Sequence, residues 1–148
     1  MESPLRSKQA HGEPAFLLAV DERTPDVPFT CQESLAELAE LATTAGLQVV
    51  GSDIQRLAHP VAGSYFGTGK IRTWTTRFQA EGVQVVVVDA ELKPSQQRTL
   101  EEAWGIKVID RTTLILDIFA RRAKTLEAQL QIELAQLNYL YPRLTRMW

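Results

Sequence analysis

The 148-residue sequence predicts an α/β protein: a small four-stranded parallel sheet with flanking helices, followed by a long C-terminal helix that is one half of a helical hairpin. Three observations predict it. Short apolar runs alternate with segments of helical periodicity in the order β-α-β-α-β-α-β, with short connections and no hairpin turn signals. Residues 83–88 are valine-rich with no regular polar alternation, as a strand covered on both faces requires. Asp21, Asp89 and Asp110 each follow an apolar run, at the carboxyl edge where open parallel sheets usually place functional groups.

Residues 15–20 (AFLLAV) are the first strand, leading into a Pro-rich loop. Thr30 and Glu33 have capping-box spacing: the threonine accepts from the amide three residues on while the glutamate reaches back. Leu35, Leu38, Leu41 and Ala42 then recur at helical spacing until Gly46. Residues 47–54 are β-branched and apolar, a second strand. His59-Pro60, Gly63, Gly67 and Gly69 mark residues 58–70 as an extended loop before a helix over about 71–80. Pro94 suits the first turn of a third helix, Gly105 ends it, and residues 106–109 are the fourth strand.

The character changes after Asp110. Thr112 or Thr113 can cap a helix whose apolar stripe is Leu114, Ile115, Ile118 and Phe119, and Thr125 offers either a second cap or a simple continuation. Leu126, Leu130, Leu134, Leu137 and Tyr141 then form a narrow apolar seam. Such a seam needs a partner, either an antiparallel second helix or a second copy of the chain, so self-association through these five residues is one expectation. Three units follow: a flexible tail over 1–13, an α/β subdomain over 14–111, and an incomplete, coiled-coil-like helical segment over 112–148.

Net charge is only −2, which argues against a free-standing nucleic-acid binder. Its distribution is uneven. Residues 1–117 carry 11 basic against 16 acidic side chains, whereas residues 118–148 carry Arg121, Arg122, Lys124, Arg143 and Arg146 against Glu127 and Glu133. A polyanion would therefore meet the C-terminal segment first. A single cysteine, Cys31, excludes a disulfide framework within the chain. No signal-type or membrane-spanning apolar run occurs, so a cytoplasmic location is expected.

Gly67-Thr68-Gly69-Lys70 precedes a helix, so its amides and Lys70 can cradle a phosphate, although Ile71 stands where a P-loop has Ser or Thr. The alternative is a tight turn into the helix. Asp89, Glu91 and Asp110 can be drawn as a Mg²⁺ cluster, but carboxylates before helices more often cap amides, and no metal site is assigned. His11 and His59 have no neighbouring nucleophile, and no catalytic residue is assigned. Arg121, Arg122 and Lys124 either meet RNA phosphate or form a solvated helix face. Tyr141 and Trp148 can stack on bases.

Four ordered stretches carry a resemblance. Residues 108–125 (VIDRTTLILDIFARRAKT), residues 129–144 (QLQIELAQLNYLYPRL), Tyr65-Phe-Gly-Thr-Gly-Lys70 and residues 91–101 (ELKPSQQRTLE) resemble the N-terminal region of HflX-type ribosome-associated GTPases. The resemblance covers roughly residues 16–148. It implies a module that binds ribosomal RNA of the large subunit and serves in splitting or rescuing stalled ribosomes under stress. It further implies that Arg121, Arg122, Lys124, Arg143, Arg146 and Trp148 lie on the docking segment, whose ribosome-facing tip begins at residues 143–148. GTP and Mg²⁺ belong to a GTPase domain further along such proteins, itself a partner of this module. No Gly-x-x-x-x-Gly-Lys-Ser/Thr occurs in these 148 residues, so no cofactor and no catalysis are expected of them. An ATP-binding role for the Gly67–Lys70 loop, or restraint of the GTPase domain by the acidic body, are the alternatives.

Overall fold

The computed structural model describes residues 12–22 and 30–144. Its four strands, β1 (Pro14–Asp21), β2 (Gln48–Arg56), β3 (Val85–Val88) and β4 (Lys107–Asp110), form one parallel sheet in the order β2-β1-β3-β4. Helices α1 (Cys31–Thr44), α2 (Thr68–Glu81) and α3 (Pro94–Trp104) make the crossovers. Then follow α4 (Arg111–Arg122), α5 (Leu126–Leu140) and a 3₁₀ turn over Tyr141–Arg143.

Strand pleating divides the apolar runs between two cores. Ala15, Leu17, Ala19, Val85, Val87 and Ile109 face α1, α4 and the end of α5, meeting Leu35, Leu38, Leu114, Ile118 and Leu140. Phe16, Leu18, Val86, Val88 and Val108 face α2 and α3. That second core is aromatic. Phe16 packs on Phe78 at 5.1 Å, and Trp104 meets the edges of both Phe78 (5.2 Å) and Trp74 (6.3 Å). The Trp104 indole donates to the Ile71 carbonyl at 3.0 Å, so its one polar atom is satisfied.

Each edge of the sheet has its own device. On β2 the register shifts opposite Ala15 and Phe16, and Gly51 leaves room for the Phe16 ring, which a Cβ there would approach to 2.6 Å. On β4 the outward amide and carbonyl of Val108 are taken by two α3 side chains. Glu101 accepts at 3.2 Å and the Gln97 amide donates at 2.9 Å, both from fully buried positions.

Most predicted boundaries fall within two or three residues of the observed ones. Thr30 caps α1, accepting from the Glu33 amide at 3.1 Å, while its hydroxyl donates to the Glu33 carboxylate. Gly46, Gly82 and Gly105 take positive φ at the ends of α1, α2 and α3. Three expectations change. α2 begins at Thr68, because Gly67 in extended backbone caps it, so Thr68, Gly69 and Lys70 form its first turn and not a preceding loop. The cap of α4 is Asp110, to which Thr113 donates both its amide and its hydroxyl; neither threonine is the cap. The C-terminal helical stretch divides at residues 123–125, where extended backbone separates α4 from α5 and Thr125 takes up its capping option.

Candidate functional site

The carboxyl edge of the sheet is a polar cluster consumed by its own contacts. Arg111, at the start of α4, donates to Asp89 at 2.8 Å and to Ser34 at 3.3 Å, and pairs with Glu37. This ties the end of β3 to α1. Asp110 is buried and accepts from the Leu92 amide (3.0 Å), the Thr113 amide (3.0 Å) and hydroxyl (2.9 Å), and the Tyr139 hydroxyl. Glu91 is exposed. The carboxylates drawn together as a Mg²⁺ cluster thus act as a helix cap and an ion-pair partner. Among the described residues no group of His, Cys, Asp and Glu is arranged to hold a metal ion.

Cys31 sits in the first turn of α1, yet burial, with Asp21 and Asp89 adding, pushes its thiol up, the opposite of an activated thiolate. Tyr65 is the one non-glycine with positive φ among the described residues, at 63°, held there by paired backbone bonds with Val61. Burial and the charges of Glu22 and Asp89 push its hydroxyl up to about 12. His59 lies in an exposed loop, and His11 lies outside the described residues.

At the start of α2, the Gly67 amide donates to Gln55 at 2.9 Å. Lys70 pairs with Asp53 at 3.2 Å and lies 5.5 Å from the Trp74 ring centre. The Trp74 indole donates to the same Asp53 oxygen at 2.8 Å. Burial raises the Asp53 carboxyl, but the bonds from Trp74, the Ile54 amide and Lys70 outweigh it and hold it below its ordinary value. Two of the groups read as a phosphate cradle are therefore engaged within the protein, with Thr68 and Gly69 exposed beside them.

The basic C-terminal residues divide into two classes. Arg121 turns inward: it meets buried Asp117 at 3.0 Å and donates to the Ala45 carbonyl (2.8 Å), and more weakly to that of Thr44 (3.4 Å), closing the C-terminus of α1. Arg143 is also buried, donating to the Leu92 carbonyl at 2.9 Å and the Tyr139 carbonyl at 2.7 Å, with its guanidinium 3.7 Å from the Tyr139 ring centre. Arg122 and Lys124 are exposed where α4 ends. Arg146 and Trp148 lie outside the described residues. Beside these cations runs the apolar seam: Leu126, Leu130, Leu134, Leu137 and Tyr141 are 71, 56, 58, 45 and 78% exposed, with Phe119 exposed as well.

The charge count flagged the basic segment but not which cations are free. Arg121 and Asp117 stand four apart on one helix, a signal that was available. The partners of Arg143 and Tyr139, at Leu92 and Asp110, lie tens of residues away and leave no local trace.

Comparison with known proteins assigns this arrangement. Residues 32–120 match the family described as GTP-binding GTPase N-terminal, and residues 122–148 match GTP-binding GTPase Middle Region. The chain is 46% identical over 118 residues to GTPase HflX of Magnetococcus marinus, covering 80% of this chain and 27% of that protein. It is 42% identical over 144 residues to GTPase HflX of Caldanaerobacter subterraneus, covering 97% and 32%. The chain thus spans between a quarter and a third of the length of these curated relatives. Its fold is shared with a GTP-binding protein of the archaeon Sulfolobus solfataricus solved in complex with GDP (TM-score 0.64, 24% identity, 88% of this chain and 38% of that one). No helix among the described residues is long and apolar enough to cross a membrane. With a parallel α/β body matching one family region and a helix with an open seam matching the next, the chain belongs to the HflX family of GTPases.

Proposed function

We propose that this chain is the ribosome-docking module of an HflX-type GTPase: it binds ribosomal RNA of the large subunit and catalyses nothing itself. In the whole, cytoplasmic protein it serves the splitting or rescue of stalled ribosomes under stress, with GTP and Mg²⁺ held by a separate GTPase domain. The division we favour is a tail to residue 13, an α/β body over 14–111 and a helical docking segment from 112. The observation that carries the reading is the exposed pair Arg122 and Lys124 beside an uncovered seam, on a body that is otherwise acidic. Exposed cations are the ones that can exchange counterions for phosphate. Arg146 and Trp148 extend the proposed surface, whereas Arg121 and Arg143 hold the segment in place and contribute to docking indirectly.

The test is salt-dependent co-sedimentation of the full-length protein with large ribosomal subunits. Charge reversal of both Arg122 and Lys124 is expected to weaken binding and to lower the slope of log K against log salt by about 2, one for each phosphate no longer neutralised. Unchanged binding and slope would remove these residues from the interface. A second reading is restraint of the GTPase domain by the acidic α/β body, while the seam can be covered by that domain or by a second copy of the chain. GTP hydrolysis rates with and without residues 1–117 separate restraint from docking. An ATP site at Gly67–Lys70 is less favoured, since Lys70 and the Gly67 amide are already partnered.

A further inference from the structure

The docking of α5 is concentrated at one end. Near its C-terminus, Leu140 enters the core shared with α1 and α4, and Tyr139 and Leu144 pack beside it. Among the polar contacts at this end, one reaches Leu92 of the β3–α3 connection. Its amide donates to Asp110, and its carbonyl accepts from Arg143. Tyr139 closes the ring, its hydroxyl on Asp110 and its carbonyl and ring on Arg143. At the other end the helix joins α4 through residues 123–125, with Ala123 and Thr125 extended, bridged by a bond of 3.1 Å from Gln129 to the Ala123 carbonyl. The first two turns are mostly exposed.

We infer that Leu92, Asp110, Tyr139 and Arg143 form a latch, and that α5 with the chain to Leu144 swings as one unit about residues 123–125 when it opens. The bonding explains why opening is local. Asp110 keeps the Leu92 amide and both Thr113 donors after Tyr139 leaves, so α4 stays capped and the sheet is undisturbed. Arg143 and the Tyr139 hydroxyl pass into water, where both are readily solvated. The Leu92 carbonyl loses Arg143, and the Thr112 side chain loses its bond to Tyr139. Because Leu92 bonds both Arg143 and the Asp110 that holds Tyr139, a displacement of the β3–α3 connection reaches α5 through direct contacts. The inference does not depend on what the segment binds.

Hydrogen exchange of the 148-residue chain tests it. In Tyr139→Phe, amides of residues 136–144 are expected to exchange about tenfold faster, while those of β1 and β3 keep their rates. Arg143→Lys, which retains the charge but cannot reach both carbonyls, gives the same pattern. Combining the two accelerates exchange by less than the product of the single effects, because both open one latch. Unchanged exchange at 136–144, equal acceleration of β1 and β3, or failure of Tyr139→Phe to fold each overturns the latch.

Discussion

The two faces of α5 share fifteen residues and one backbone, yet they meet different surroundings. Inward lie Gln136, which is buried, and Tyr139 and Leu140, which pack on the α/β body. Outward lie Leu126, Leu130, Leu134 and Leu137, with Tyr141 beyond them on the same side, all in solvent. Hydropathy alone would rank the faces the other way, since the outer one carries more leucine. What sets them apart is that the inner face offers hydrogen-bonding groups to Asp110 and Leu92, which are waiting at the carboxyl edge, while the outer face offers only area. An exposed apolar stripe of that length is the surface the proposed docking role would use.

That contrast is broken most severely from the inside. Asp110→Ala strands two amides and two hydroxyls in a buried site, and urea unfolding is expected to register a loss of roughly 4 kcal/mol. The same inside–outside rule separates the two adjacent arginines. Arg121→Glu leaves the fully buried Asp117 beside a second carboxylate and is expected to cost about 3 kcal/mol, whereas Arg122→Glu leaves the unfolding midpoint within experimental error. Leu140→Ala, on the inner face, removes about 2–3 kcal/mol. On the outer face, Leu130→Gln with Leu134→Gln shifts stability by less than about 0.5 kcal/mol, and sedimentation velocity of this variant reports whether the seam pairs chains. A stability loss on that face comparable to Leu140→Ala would erase the distinction.

A further effect is a titration. Burial, with Asp110 as bond partner and neighbouring charge, raises the Tyr139 hydroxyl. A raised group stabilises the fold fully below its ordinary value, about 10 for tyrosine, and loses that contribution as pH climbs above it. Alkaline unfolding of the wild-type chain should therefore carry a component that Tyr139→Phe lacks.

How much of this was legible depended on distance along the chain. The Thr30–Glu33 cap, the Pro94 start and the glycine stops are local chemistry, and the strands followed from runs too apolar for a one-sided sheet. The exposed seam was legible as well, because its spacing left no mate within the chain. Thr125 stayed ambiguous, since a threonine caps a helix or continues one according to its surroundings. Asp110 outcompeted Thr112 and Thr113 as cap because it also collects donors from Leu92 and Tyr139, 18 and 29 residues away. Lys70 read as a phosphate ligand only while Asp53, on another element, was out of view. Long-range pairing decided which cations are free, and it has no period to read.

The last strand carries a quieter consequence. By spending Gln97 and Glu101 on Val108, α3 takes up both outward main-chain groups of that residue, as a fifth strand would. That border is closed at its second residue before the polypeptide turns away at Arg111. A partner seeking a main-chain ladder on β4 would first have to displace Gln97 and Glu101 from Val108.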